Sequence, residues 1–329
     1  MSRFTDITMG FRHRIKEMAY GFKYLSWKED YEDIPYSVRS AVISMVDGKM
    51  WHGGLTDRFK GIVTGYLFAQ YLDRPFRIKY SFPFNLTDYL IPNEYNWVID
   101  DEDISSSIFT SRALCTRHEN GRRMLKVKPK GQIRFYCNVD LTEVLDFTPF
   151  NQKWGDIFNR LFRPSPLLQK ELDHQLNKLG CEYVAMVFRF QNLLGDFEEY
   201  KYKKIEDTEY RERLIEANLE EIRNIIEQIR KKSDEARILI TSDSAEFLER
   251  AEKISGVYSI KGKSAHVDTK GTGNTNHIKA FVDFFMISKA KEVYSVTIDN
   301  MYPSDFPNYA SKVGGIPFHR INKKLNPHQ

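Results

Sequence analysis

The feature that most constrains the fold is a regular alternation in the second half of the chain. CEYVAMVFRF (181–190) and ARILITSD (236–243) are short runs dominated by apolar and β-branched residues. Between them, residues 208–232 read as a long helix, with Ile215, Leu219, Ile222, Ile226 and Ile229 on one face. GVYSIKG (256–262) reads as another strand, 276–290 as a helix and KEVYSVTI (291–298) as a strand. Strands this apolar have no wet face, so their alternation with helices argues a parallel, doubly wound sheet. The first half shows the same order once. AVISMV (41–46) reads as a buried strand, DGKMWHGGLTDR (47–58) as a Gly loop and 59–70 as a helix. Arg74-Pro75 then breaks the chain before the alternating strand FRIKYSF (76–82), which completes a βαβ unit. Residues 98–145 are less regular, with QIRFYCNVDL the clearest strand.

At roughly 100–200 residues per domain, 329 residues make two domains or one large one. Pro164 and Pro166, two apart in NRLFRPSPLLQKELDHQL, forbid regular structure and place the boundary. The expected domains are 1–163 and 164–329, both Rossmann-like, each contributing one wall of a central cleft. A hydrophobic content of 41% excludes wholesale disorder, and no apolar run approaches the length of a membrane span. The N-terminus lacks the apolar core of a signal peptide, and Cys115, Cys137 and Cys181 form neither a disulfide framework nor a zinc set. The expected location is therefore cytoplasmic. A net charge of +4 falls short of a nucleic-acid footprint, so no nucleic-acid partner is expected.

Residues 9–28 form a basic, aromatic helical stretch. Arg12, Arg14, Lys16, Lys23 and Lys28 face one acid, Glu17, and Phe11, Ile15, Met18, Phe22, Leu25 and Trp27 make an apolar stripe. Two readings compete: an interfacial helix that contacts anionic lipid, and a helix packed on its own domain through that stripe. The second is favoured, because helical stripes usually mean core.

In an open parallel sheet, ligands bind beyond the carboxyl ends of the strands. The residues there are His52, Gly53, Gly54, Asp57 and Arg58 after the first strand, and Arg189 after VAMVF. Thr241, Ser242 and Asp243 follow ILI, and Asp299, Ser304 and Asp305 follow YSVTI. Arginine stays charged and presents a planar fork of donors, which suits a diphosphate. The loop Gly271, Thr272, Gly273, Asn274 opens into a helix whose free N–H groups favour anions, with His266 and His277 flanking it. No Walker A, HExxH, GxSxG or CxxC pattern occurs. The run Asp100–Asp103 (DDED) is either a solvated turn or a divalent-cation site.

These segments together resemble the fucosyltransferase-like glycosyltransferases of the two-domain GT-B type. HGGLTDRFKGIVTGYLFAQYLDRPFRIKY (52–80) looks like the family's Gly loop, first helix and second strand, and LFRPSPLLQKEL (161–172) like its interdomain segment. VAMVFRFQ (184–191) is similar to the strand that ends in the phosphate-binding arginine, and ILITSD (238–243) to the strand that ends in aspartate. IKAFVDFFMISKAKEVYSV (278–296) and SDFPNYASKVGGIPF (304–318) resemble its final helix, strand and Ser-bearing loop. The resemblance implies a GT-B-like α/β fold and a metal-independent, inverting transfer, of fucose from GDP-fucose to a glycan or lipid-linked glycan hydroxyl. No cofactor is implied beyond that donor substrate. It implies Arg189 on the β-phosphate, Asp283 on the guanine, Ser304 or Thr297 on phosphate oxygens, and Asp243, Ser242 and His266 around the nucleotide. Gly53, Gly54, Asp57 and Arg58 would line the N-terminal side, with Asp57 the first candidate for the base and His52 the second. Val187 stands where the family often has histidine, and Phe190 where some members have a second arginine. These two residues favour an alternative, a catalytically silent binding relative.

Overall fold

The computed structural model describes residues 3–30, 32–50, 52–116, 124–126, 131–142, 153–180, 182–195, 204–231, 237–262 and 277–325, with side chains from Arg14 onward. Cys181, His266 and the loop Gly271–Asn274 lie outside the described residues. The described residues up to Ser165 form one compact unit, and those from Pro166 onward form a second.

In the first unit, helix α1 (Arg3–Tyr24) precedes β1 (Val42–Val46), α2 (Leu55–Tyr71) and β2 (Phe76–Tyr80). Short β3 (Leu90–Pro92) follows, then β4 (Ser111–Thr116), β5 (Gln132–Cys137), α3 (Trp154–Leu161) and β6 (Phe162–Pro164). The sheet runs β2-β1-β5-β4 with every pair parallel, and β3 pairs antiparallel with β6 beside it. The βαβ unit read from the sequence is β1-α2-β2, with Val42 opposite Phe76 and Val46 opposite Tyr80. Helix α2 lies close to the sheet because two glycines face it. A Cβ on Gly61 would stand 1.8 Å from the Cys137 carbonyl oxygen, and one on Gly65 would stand 3.0 Å from the Phe135 ring.

In the second unit, α4 (Pro166–Leu179) leads to β7 (Val184–Phe188), α5 (Thr208–Arg230), β8 (Ile238–Ser242), α6 (Ala245–Ala251) and β9 (Val257–Ser259). Then come α7 (Ile278–Ser288), β10 (Val293–Ile298), α8 (Phe306–Gly314) and β11 (Phe318–Lys323). The sheet order is β11-β10-β7-β8-β9, all parallel. Strands β7 and β8 are buried at every position, as their unbroken apolar runs require. Leu214, Ile215, Leu219, Ile222, Ile225 and Ile226 of α5 pack with Val184, Met186, Phe188, Ile238 and Ile240 in one core. Asp207 caps α5 by accepting the N–H groups of Glu209 and Tyr210, and Ser244 caps α6 through the N–H of Phe247.

Helix α1 packs on its own domain, as the favoured reading expects, but not through the whole stripe: Leu25 is buried, whereas Met18 is 62% exposed and Phe22 68%, with Ile15 also open. The face that packs carries Glu17 and Tyr20, both buried. Glu17 accepts the N–H of Cys115 at 3.0 Å, and Tyr20 joins a hydroxyl chain with Tyr136 and Arg134. Buried polar groups with partners anchor this helix, and its most apolar face is left in solvent.

Candidate functional site

In the second unit the candidate residues gather where β7, β8 and β10 end. Arg189 follows Phe188, the last residue of β7, and Asp243 follows Ser242, the last of β8; the parallel register sets Phe188 opposite Ser242. One Arg189 guanidinium nitrogen lies 3.1 Å from Asp243 Oδ2, with side chains 24% and 1% exposed respectively. Asp243 also accepts the N–H of Phe190 at 2.9 Å and of Gln191 at 2.7 Å. The carboxylate thus staples the turn after β7, where Gln191 has φ 52°, and holds the arginine from below. Burial pushes the Asp243 carboxyl above its ordinary value, against the pull of Arg189 and the two N–H donors. Asp243 is therefore a positioning group for the arginine. The Arg189 carbonyl accepts the N–H of Tyr302, which ties the loop after β10 to the same turn.

The other second-unit candidates are placed as follows. Ser242 is buried and accepts the N–H of Ser244 at 3.2 Å. Ser304 accepts the N–H of Phe306 at 3.2 Å and so helps start α8. Thr297 has a buried hydroxyl without a partner among the described residues. Asp283 is buried in α7 with Oδ2 2.6 Å from Lys279 Nζ, while its Oδ1 lacks a partner. Burial pushes this carboxyl up, although the Lys279 charge opposes the shift. Val187 and Phe190 are both buried, and Phe190 packs on Phe247 with ring centroids 5.0 Å apart. Asp299, with φ 51°, is held by Tyr210 Oη at 3.1 Å and the N–H of Leu325 at 2.9 Å, a use the sequence did not signal.

The Gly loop of the first unit differs from its sequence reading in one main respect. Arg58, expected to line a cleft, is 1% exposed. Its Nε donates to the Gly53 carbonyl at 3.0 Å, and one terminal nitrogen donates to Tyr80 Oη at 3.1 Å and the Phe82 carbonyl at 2.5 Å. It braces the loop against the end of β2, because five fixed donors can satisfy three acceptors from separate segments. His52 is buried as well, and its Nε2 accepts the N–H of Gly48 at 3.0 Å. The neutral ring then carries its proton on Nδ1. Asp57, in the first turn of α2, is 38% exposed and 3.2 Å from Lys60 Nζ. Gly53 has φ +74°, and a Cβ there would strike Asp57 Oδ2 at 2.7 Å, whereas Gly54 opens onto free space. Asp57 and Arg189 keep solvent-accessible side chains, whereas Arg58 and His52 are internal braces.

Asp101, within DDED, pairs with Lys79, and among the described residues no three His, Cys, Asp or Glu side chains converge as a metal set. Among them, too, no helix is long and apolar enough to cross a membrane. Cys115 and Cys137 are free thiols.

No protein-family model matches the chain, and no curated protein matches its sequence. Solved structures match it in fold. The NodZ α-1,6-fucosyltransferase soaked with GDP-fucose superposes with a TM-score of 0.55 at 15% identity, over 84% of this chain and 92% of that one. An Arabidopsis thaliana FUT1 mutant in complex with GDP gives 0.55 at 12% identity, over 94% and 74%. The Bradyrhizobium fucosyltransferase NodZ gives 0.51 at 13%, over 83% and 93%. At these identities the likeness is one of fold: two Rossmann-like units in the arrangement of elements that GT-B fucosyltransferases share.

Proposed function

We propose that this chain is a metal-independent, inverting glycosyltransferase that moves fucose from GDP-fucose to a hydroxyl of a glycan or glycoconjugate. The observation that carries the proposal is Arg189, fixed by buried Asp243 at the carboxyl end of β7, in a fold whose solved examples include a GDP-fucose-soaked and a GDP-bound protein. In such a transfer, charge grows on the diphosphate as the sugar becomes oxocarbenium-like. A cation already fixed in place stabilises that state more than the ground state, with no reorganisation at the moment of reaction. Thr297 and Ser304 supply hydroxyls to the phosphates, and Asp283, with one carboxylate oxygen unpartnered, accepts from the guanine edge. Asp57 is the proposed base, because it keeps an exposed carboxylate oxygen while His52 Nε2 is occupied. Direct displacement by the acceptor oxygen inverts the anomeric carbon.

A thermal-shift panel of nucleoside diphosphates and nucleotide sugars tests the donor. A ligand bound only to the folded state must raise the melting temperature. GDP and GDP-fucose are expected to raise it, with EDTA making no difference. A response confined to UDP compounds sinks the fucosyl assignment. A second reading, binding without turnover, is favoured by Phe190, which gives the core an aromatic ring where some relatives have a second cation. Donor binding with no release of GDP over a broad acceptor set would decide for it.

The proposal includes membrane contact by α1. On the helix circle, Ile15, Met18 and Phe22 form one exposed ridge with Arg14 on one flank and Lys16 and Lys23 on the other. Trp27 extends the ridge, with its ring 6.1 Å from Phe22 and 6.2 Å from Phe109. An apolar ridge between two basic flanks matches an anionic bilayer surface, whereas a second copy would meet it with like charge. The chain should co-sediment with phosphatidylglycerol vesicles and not with phosphatidylcholine ones. Phe22→Glu together with Trp27→Glu should abolish pelleting, and equal pelleting by the parent chain and this double variant, with either lipid, removes this part of the proposal.

A further inference from the structure

The inner side of α1 closes a pocket whose Lys16 and Lys23 also flank the exposed ridge but whose walls have no role above. It lies at the carboxyl ends of β4 and β5 and beside the loop after β1, and its volume is about 350 Å³, within the size range of small-ligand sites. Lys16, Lys23 and Lys49 line its rim, and Tyr20, Tyr24 and Tyr136 its walls. The ammonium groups of Lys23 and Lys49 stand 5.0 Å and 5.2 Å from the same Tyr24 ring centroid, so two cations from different elements converge there. Beneath the wall, buried Arg134 donates to Tyr20 Oη at 2.9 Å. The facing acids do not balance these charges. Asp47 accepts Tyr136 Oη at 2.9 Å and stands 3.8 Å from Lys49 Nζ, while Glu17 is turned to the Cys115 N–H. Among the described residues, three lysines therefore ring the pocket, and both nearby carboxylates, Asp47 and Glu17, are already engaged. An independent observation points the same way: Thr116 lines the pocket, is 3% exposed, and has a hydroxyl without a partner among the described residues.

We infer that this pocket binds an anionic sugar, a residue bearing a carboxylate, sulfate or phosphate, and that it selects acidic glycans as acceptors. The inference deepens the transferase reading and rests on it for the word acceptor. Binding of the sugar in the pocket does not. The rings supply flat apolar faces for a pyranose, the lysines its counter-charge, and Thr116 a hydroxyl able to bond a sugar oxygen. The position follows from the parallel sheet, which opens loops and strand ends of one polarity toward ligands.

Calorimetry on the whole chain tests this with a galacturonic acid tetramer, a sulfated oligosaccharide, a neutral galactose tetramer and inorganic phosphate. GDP binding is measured in parallel. At least one acidic oligosaccharide should bind tenfold or more tighter than the neutral one. Lys23→Gln with Lys49→Gln should weaken that binding by about tenfold, as loss of two partly exposed ion pairs predicts. Preference for the uronate or for the sulfated probe distinguishes the source of the charge, and either supports the inference. Equal binding of the neutral tetramer overturns it, as does an unchanged affinity in the double variant. Full competition by phosphate alone also overturns it, by showing a simple ion site. If GDP fails to bind while the acidic oligosaccharide binds through these lysines, the donor reading falls and the pocket stands. If GDP binds and no acidic sugar does, the reverse holds.

Discussion

Arg189→Ala should erase the response to GDP. At a GDP concentration 100 times Kd, binding stabilises the folded chain by about 2.7 kcal/mol. A charge-assisted contact to phosphate contributes about 1.5–3 kcal/mol, so its loss weakens Kd by up to about 100-fold. The same GDP concentration then sits near Kd, and the stabilisation falls to about 0.4 kcal/mol. An undiminished shift in the variant would detach Arg189 from the phosphates.

The variant should also change how stability depends on pH. Asp243 is buried with its carboxyl already raised, and Arg189 is the main group pulling it down. Without the arginine it rises further. A carboxyl whose folded value lies above its unfolded value contributes stability that is fully present below the unfolded value and lost as pH rises through the folded one. Arg189→Ala should therefore come nearest to the parent chain in acid and fall below it as pH climbs. Denaturant midpoints across that range measure this. Asp243→Asn in the same background should remove the slope, because the buried group can no longer ionise.

The largest stability effect is expected at Gly61. An alanine there places its Cβ 1.8 Å from the Cys137 carbonyl oxygen, a backbone atom that cannot swing aside. Helix α2 must lift from the sheet, which costs about 3 kcal/mol or more, the upper part of the overpacking range. Gly54→Ala is the matched control, since nothing lies within 4 Å of a Cβ there. Gly54 is the N-cap of α2, where alanine caps less well than glycine, so the cost of the change should stay at about 0.5–1 kcal/mol. Urea midpoints for the two variants should differ widely. Near-equal values would mean that α2 does not pack on β5 as described.

The residues that could be read from sequence were those whose neighbours are local or whose pattern is long. The α5 face Ile215, Leu219, Ile222 and Ile226 is buried as its spacing requires, because a 23-residue helix averages out single exceptions. Arg189 at the end of a buried strand was legible for the same reason. Arg58 was not. Its partners Tyr80 and Phe82 lie 22 and 24 positions away, and nothing in a one-dimensional pattern distinguishes a brace from a ligand-facing arginine. That α1 packs on its own domain was legible, but not the face it uses, because apolar periodicity finds the greasiest face, whereas this helix is anchored by Glu17 and Tyr20, whose polar atoms found buried partners. β4 was hidden by the same logic, since Ser111, Arg112 and Thr116 break the apolar run of a strand that is mostly buried.

Phe190 has a consequence for how this chain can change. Its ring is wedged against Phe247 while its own N–H is held by Asp243, so core and site share one residue. An arginine placed there would drive a guanidinium into an aromatic core, a change that unsettles the fold before it can add a surface charge. The turn that Asp243 pins is therefore closed to simple substitution, and the proposed site can be retuned only at positions outside that core, such as Ser304 and the loop after β10.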